Sequence, residues 1–304
     1  MRLAPHPITL RQLQYVVAVA EQKSFRKAAL ACNVSQPALS AQVAQLEGAI
    51  DCKLFDRDTQ RVLISPAGRA FVARAQALLA LTDSLVEETQ RAADPLAGPL
   101  RLGVIPTVGP YLLPDVAQPL RRAFPKLRFT WVEERTAVLM KLLKEGDLDG
   151  AIVALETEDL GEVQSLVLGR DVFFLATPND HALANAKTPV STQVLENERV
   201  LVLEEGHCLG EQVAEVCQRA RTSDLDVCAT SLSTLSQMVV GGAGVTLLPA
   251  LALEVENRRG TLHLRPFTAR APGRTLALVW RKSTTAHQAL KAIAPLLRKG
   301  VSRS

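Results

Sequence analysis

The most constraining feature of this chain is a helix stop followed at once by a helix start. Ser24 can cap a short helix from Phe25 to Cys32, Asn33 tolerates the left-handed backbone that ends one, and Ser35 can cap the next. Pro37 falls in the first turn of that next helix, where a missing N–H does no harm. Upstream, Thr9 can cap a helix in which Leu10, Leu13, Val16, Val17 and Ala20 recur on one face. Two helices joined by so tight a turn form a helix-turn-helix, whose second helix can lie in the major groove of DNA.

The residues around that second helix suit the task. Leu39, Val43 and Leu46 share its inner face and leave Ser35, Gln36, Ser40, Gln42 and Gln45 outward. Small hydroxyls and amides match base edges and phosphates. Two short strand-like runs follow, Lys53 to Arg57 and Arg61 to Ser65, around a polar turn. They read as a wing whose Arg57 and Arg61 meet the sugar-phosphate backbone or the minor groove. The expected DNA-contacting set is Ser35, Gln36, Pro37, Ala38, Ser40, Gln42, Arg57 and Arg61. Charge agrees: residues 1–74 hold ten Lys/Arg against five acids, an excess of +5, where the whole chain carries only +4.

At 304 residues the chain has room for more than this unit. The stretch 66–92 lacks internal proline and sets Phe71, Ala75, Leu78, Leu79, Leu85 and Val86 to one side, as a dimerisation helix would. Residues 93–99, with two prolines and a glycine, read as a hinge. From residue 100 strand-like apolar runs alternate with amphipathic helices, which predicts α/β lobes of parallel sheet with crossover helices. The expected organisation is a winged helix-turn-helix over 1–65, the linker helix 66–92, the hinge 93–99 and a two-lobed α/β domain over 100–304. Lobe I takes about 100–170 and 275–304, and lobe II about 171–274. Ligands of such sheets sit at the carboxyl ends of strands, which puts Pro106 to Gly109 and Glu134 to Thr136 at a cleft.

Apolar residues make up 47% of the chain and charged ones 22%, so disorder is not expected. The apolar run Tyr15 to Ala20 is far shorter than the ~20 residues that span a bilayer, and no cleavage site follows it. The chain is therefore expected in the cytoplasm, with no membrane partner. Five cysteines, at 32, 52, 208, 217 and 228, include no CxxC pair, so neither a metal site nor any cofactor is expected. Cys32 and Cys52 read as thiols buried in the amino-terminal core.

Several segments resemble the LysR-type transcriptional regulators: Phe25-Arg26-Lys27-Ala28-Ala29, Val34-Ser35-Gln36-Pro37-Ala38-Leu39-Ser40, Gln45-Leu46-Glu47 and Lys53-Leu54-Phe55-Asp56-Arg57. The resemblance implies a dimer of dimers on double-stranded promoter DNA, with a two-lobed periplasmic-binding-like regulatory domain and RNA polymerase as a further partner. One departure is Ile50-Asp51, where the family usually has Leu-Gly, so a left-handed turn there would be slightly strained.

The sensor half is similar to the hydrogen-peroxide-responsive members of that family. The matching segments are Gly103 to Pro114, Glu205-Gly206-His207-Cys208-Leu209, Ala229 to Leu232, Gly244 to Leu251 and Arg274-Thr275. By this resemblance Cys208 is the peroxidatic thiol and Cys217 the resolving one. Thr107, Thr136 and His207 would hold peroxide, and Arg274 would polarise its O–O bond. A thiolate is the reactive species, and a helix start at Cys208 favours an anion. If residues 208–217 are helical, the two cysteines stand roughly 13 Å apart, about twice the limit for a disulfide, so bridging would melt the helix. Gly210 and Glu211 replace the family's usual basic residue and Asp, and Cys228 is a third thiol nearby. Two other readings remain: a LysR regulator that answers a small metabolite between its lobes, and a thiol peroxidase, which would leave the wing idle.

Overall fold

The computed structural model describes residues 6–57, 62–156, 160–185, 189–204, 206, 208–216, 221–222, 229–268 and 271–302. They form two units that divide between Thr89 and Gln90.

The first unit is built on its caps. Thr9 opens α1 (Leu10–Gln22) with a reciprocal capping box: its hydroxyl accepts from the Gln12 N–H at 3.3 Å, and its own N–H donates to Gln12 Oε1 at 2.9 Å. Ser24 caps α2 (Phe25–Ala31), Asn33 takes the left-handed conformation (φ 58°), and Ser35 caps α3 (Gln36–Ala49) by accepting from the Ala38 N–H at 3.4 Å. The buried face of α1 is Leu13, Tyr15, Val16, Val19 and Ala20. Leu10, expected on that face, is 48% exposed, because it lies in the first turn, before the helix reaches the core. Leu39, Val43 and Leu46 are fully buried, each worth ~1.5–3 kcal/mol of transfer free energy.

The wing is a two-stranded antiparallel ribbon, β1 (Phe55–Arg57) and β2 (Val62–Ile64), with Phe55 opposite Ile64 and Arg57 opposite Val62. Phe55 packs edge-on against Phe25 with ring centres 5.9 Å apart, which ties the wing to α2. Asp51 has φ 49°, so the turn where glycine was missed is indeed left-handed. Then α4 (Pro66–Ala93) runs for 28 residues, ~42 Å. Of its expected apolar side only Ala75 is buried; Phe71 and Leu79 are half-buried, while Leu78, Leu85 and Val86 are about half exposed or more. Cys32 and Cys52 are half-buried rather than buried. The protein around Cys32 removes enough water to push its thiol above the ordinary cysteine value.

In the second unit, β3 (Gly98–Val104) leads through α5 (Gly109–Ala123) to β4 (Leu127–Glu133), and α6 (Thr136–Glu145) leads to β5 (Gly150–Ala154). These three strands are parallel, as crossover helices require. The remainder corrects the expectation of parallel sheet. The 16-residue β6 (Val163–Pro178) pairs antiparallel with each of its strand neighbours.

After β7 (Arg199–Val200) come α7 (Cys208–Val216), β8 (Arg221–Thr222), α8 (Leu232–Val240), β9 (Thr246–Pro249) and α9 (Leu253–Glu256). The chain closes with β10 (Leu262–Pro266), β11 (Gly273–Arg281) and α10 (His287–Val301). The sheet order is β10-β6-β11-β5-β3-β4, with β9 also on β6. Strand β6 pairs antiparallel with β11 over its first part and with β9 and β10 over its last, so one strand serves both halves of the domain. Among the described residues no helix is long and apolar enough to cross a membrane.

Candidate functional site

The point where β6 passes from one half to the other is where Arg274 lies. It stands opposite Asp171 in the β11/β6 register, and the pair is buried to within 1% of full coverage. Its Nε donates to Asp171 Oδ2 at 3.0 Å. One terminal nitrogen donates to Thr107 Oγ1 at 2.6 Å and the other to the Thr107 carbonyl at 2.9 Å. The second carboxylate oxygen of Asp171 accepts from the Leu251 N–H at 3.1 Å. A buried guanidinium needs such a full set of acceptors, since an uncompensated charge there would be costly.

Thr107 lies in the loop between β3 and α5, on the expected cleft segment, and is 3% exposed. Because its hydroxyl oxygen already accepts from Arg274, its own hydrogen is directed to some other acceptor. The other expected cleft segment is alongside: the Glu134 N–H donates to the Val104 carbonyl at 3.2 Å, and the Glu133 carboxylate packs where a side chain on Gly109 would stand. Desolvation there raises Glu133 above the usual carboxylate value. Nearby, Tyr111 at the start of α5 donates to Glu256 Oε1 at 2.6 Å, and Ser233 donates to the same oxygen at 2.8 Å.

Thr136 heads α6, is 2% exposed, and its hydroxyl has no hydrogen-bond partner among the described residues. Cys208 heads α7 and is 4% exposed, placing its sulfur at a helix start inside the core. One turn further along α7, Gln212 is 5% exposed, and neither amide atom has a hydrogen-bond partner among the described residues. Buried polar groups left this way call for an explanation. The backbone before α7 carries Gly206 at φ 86°, and Glu204 forms an ion pair with Arg135, the residue before Thr136. A side chain on Gly210 would come within 2.7 Å of the Leu203 carbonyl, so this glycine lets α7 lie directly on the preceding backbone. Glu211 is exposed.

Of the expected redox residues, Thr107 and Arg274 are in direct contact, and Thr136 and Cys208 are buried at helix starts. His207 and Cys217, with Cys228, lie outside the described residues. On the DNA side, Ser35, Gln36, Pro37 and Ala38 are exposed, while Ser40 and Gln42 are half-buried. Arg61 and the side chain of Arg57 lie outside the described residues. Sequence reasoning missed Asp171, Glu204 and Gln212; it held Arg135 only as part of the expected cleft segment and Glu47 only as part of a family motif, with no role for either. The Glu47 carboxylate, 2% exposed on α3, accepts from the N–H groups of Leu54 and Phe55 at 2.8 and 3.2 Å.

Comparison with known proteins gives a consistent result. Residues 10–69 match the bacterial regulatory helix-turn-helix protein, lysR family, and residues 93–302 match the LysR substrate binding domain. The chain is 39% identical over 293 residues to the hydrogen peroxide-inducible genes activator of Dickeya chrysanthemi, covering 96% of this chain and 95% of that protein. It is 38% identical over 292 residues to the DNA-binding transcriptional dual regulator OxyR of Escherichia coli K12, covering 96% and 95%. Among solved structures it resembles a peroxide-bound cysteine mutant of Corynebacterium glutamicum OxyR, with a TM-score of 0.67, 31% identity, and 98% of this chain and 94% of that one covered.

Proposed function

The chain belongs to the LysR family of bacterial regulators, and from that premise we propose that it is a promoter-binding regulator that senses hydrogen peroxide at Cys208 and activates antioxidant genes. The observation that carries the proposal is the buried Thr107–Arg274 contact, which makes the threonine hydroxyl a donor beside a fixed cation. The relatives named for peroxide induction support the same chemistry.

The Cys208 thiolate attacks one peroxide oxygen and the O–O bond breaks, leaving a sulfenic acid and a hydroxide that takes up a proton to become water. Arg274, Thr107, Thr136 and His207 hold the peroxide and stabilise the leaving oxygen. The Cys217 thiolate then attacks the Cys208 sulfur and displaces the second hydroxide, again released as water. In sum, two thiols and one peroxide give one disulfide and two waters. Helix α7 keeps Cys208 and Val216 ~12 Å apart, and a bridge to the next residue must stay within ~7 Å between Cα atoms. The disulfide therefore requires α7 to unwind, and that remodelling is the signal.

At the output end, α3 lies in the major groove with Ser35, Gln36, Pro37, Ala38, Ser40 and Gln42, while Arg57 and Arg61 of the wing meet the backbone. Copies of α4 pair through Leu78, Leu81 and Leu85, which are 49–66% exposed, beside an apolar groove of about 480 Å³ between α1 and α4. Four chains assemble as a dimer of dimers and recruit RNA polymerase.

DNA footprinting with and without peroxide tests the reading. Wild type should change its footprint and Cys208→Ser should not; an identical peroxide-dependent change in the mutant would overturn the proposal. Mass spectrometry after brief exposure should find Cys208 joined to Cys217, not to Cys228.

A further inference from the structure

Two helix starts matter to this site, Thr136 on α6 and Cys208 on α7, and they come from different halves of the domain. One contact joins their approaches. Arg135 holds the N-cap position of α6, with φ −63° and ψ 153°, and makes no side-chain capping bond. Its guanidinium reaches Glu204 instead. The Glu204 N–H is anchored in the other half, donating to the Ala229 carbonyl at 3.1 Å. Two residues on, Gly206 turns with φ 86°, and a Cβ there would stand 3.1 Å from an Arg135 terminal nitrogen. At that φ an L side chain is strained, and a Cβ would crowd the guanidinium as well. The segment leading into Cys208 is therefore tied at Glu204 to the residue that precedes Thr136, and it passes beside that residue again at Gly206.

We propose that Arg135 and Glu204 form a clasp that positions Cys208 against Thr136 and restrains the start of α7 in the reduced protein. The proposal rests on Cys208 being the sensing thiol. Arg135 and Glu204 are positioning residues: they act on the backbone around the thiol rather than on peroxide. Their side chains are 41% and 27% exposed, so the clasp is weakened by salt and bounded in strength, as partly exposed pairs are. A clasp of that kind suits a switch, since it keeps α7 closed at rest without preventing the unwinding that a disulfide demands.

Iodoacetamide alkylation of Cys208 in the reduced full-length protein tests this, with Cys32 and Cys52 as internal references and peptide mass spectrometry as the readout. Arg135→Gln and Glu204→Gln should each raise the rate at Cys208 by up to about fivefold. The shared direction matters, because a through-space effect on the thiolate would drive the two neutralisations oppositely. The exchanged pair Arg135→Glu with Glu204→Arg should return the rate to wild type. Raising salt should accelerate alkylation of the wild type, which needs no variant to fold, and should act less on Glu204→Gln. The clasp is overturned by single variants that react like wild type, by opposite shifts, by no rescue in the exchanged pair, or by a salt response unchanged in Glu204→Gln. Peroxide that leaves Cys208 of the wild type unoxidised overturns the sensing reading separately, while the alkylation rates still decide the clasp.

Discussion

Asp171 and Arg274 face one another in register across β6 and β11 and form an ion pair at 3.0 Å with almost no exposed surface. Both are anchored twice, Asp171 by the Leu251 N–H and Arg274 by Thr107, so the pair joins the shared strand to the loop at the head of α5. Asp171→Ala leaves a buried guanidinium without its counter-charge and should cost about 3–5 kcal/mol. Urea unfolding of the regulatory domain measures the loss. Replacing both by apolar residues, Asp171→Leu with Arg274→Met, should recover much of it while abolishing the peroxide response. A single mutant as stable as wild type would mean that the pair is open to solvent.

Tyr111 offers a pH signature. Burial first, then the bond to Glu256 and its charge, hold the phenol well above the ordinary tyrosine value; Ser233 and Arg274 act weakly the other way. A folded value above the unfolded one means that the associated stability is complete below the unfolded value. It is lost as pH climbs past about 10, where unfolded tyrosine ionises and native Tyr111 does not. Stability against urea should therefore fall across that range, and Tyr111→Phe should flatten the slope. An unchanged slope in the mutant would assign the alkaline loss to other groups.

What was legible in the chain follows from the range of the signals. Thr9, Ser24, Asn33, Ser35 and Pro37 act within a turn or two of their own positions, so the three helices and the wing could be read from neighbours alone. Leu10 failed because periodicity says which residues share a face and not where the face meets its core. In the sensor half, Asp171 and Arg274 are 103 positions apart and Thr107 and Arg274 are 167 apart. No local pattern announces an antiparallel partner at that distance, which is why the lobes read as parallel sheet and Asp171 passed unnoticed. Arg274 was found only through resemblance to a family, whereas Thr107 also lay on a segment that the strand-end rule had placed at the cleft. Arg135 was named only within the expected cleft segment and Glu204 in no segment at all, and only the fold brings them together.

Glu47 couples the DNA-reading helix to the wing. Its carboxylate takes the first N–H groups of the wing segment and also meets Lys53 at 3.3 Å, all from a buried position on α3. Glu47→Ala leaves two buried donors without an acceptor, a loss of about 2–3 kcal/mol in the amino-terminal unit. Wing and helix would then move independently, so affinity for promoter DNA should drop at every sequence rather than at one base position. Glu47→Gln keeps one acceptor oxygen and should lie between. Fluorescence anisotropy on specific and scrambled duplexes separates the cases; full affinity in Glu47→Ala would show that the wing is held by Phe25 and Phe55 alone.

Gly210 lies in the first turn of α7, and its setting reverses the usual effect of replacing a helical glycine. On an open helix, Gly→Ala stabilises by about 1 kcal/mol. Here the added Cβ would lie 2.7 Å from the Leu203 carbonyl, a backbone atom held in place by the bridge between Leu203 and Ala229. Either α7 or that backbone must move, and either shift disturbs the first turn of α7. Gly210→Ala should therefore weaken the closed arrangement around Cys208 and leave the unwound form untouched. In a glutathione buffer of fixed ratio, two thiols exchange with oxidised glutathione to give one disulfide and two reduced glutathiones. The mutant should hold the larger share of its Cys208 in the disulfide. A smaller share would mean that helix propensity outweighs the clash, and that α7 does not rest on Leu203 when the thiols are reduced.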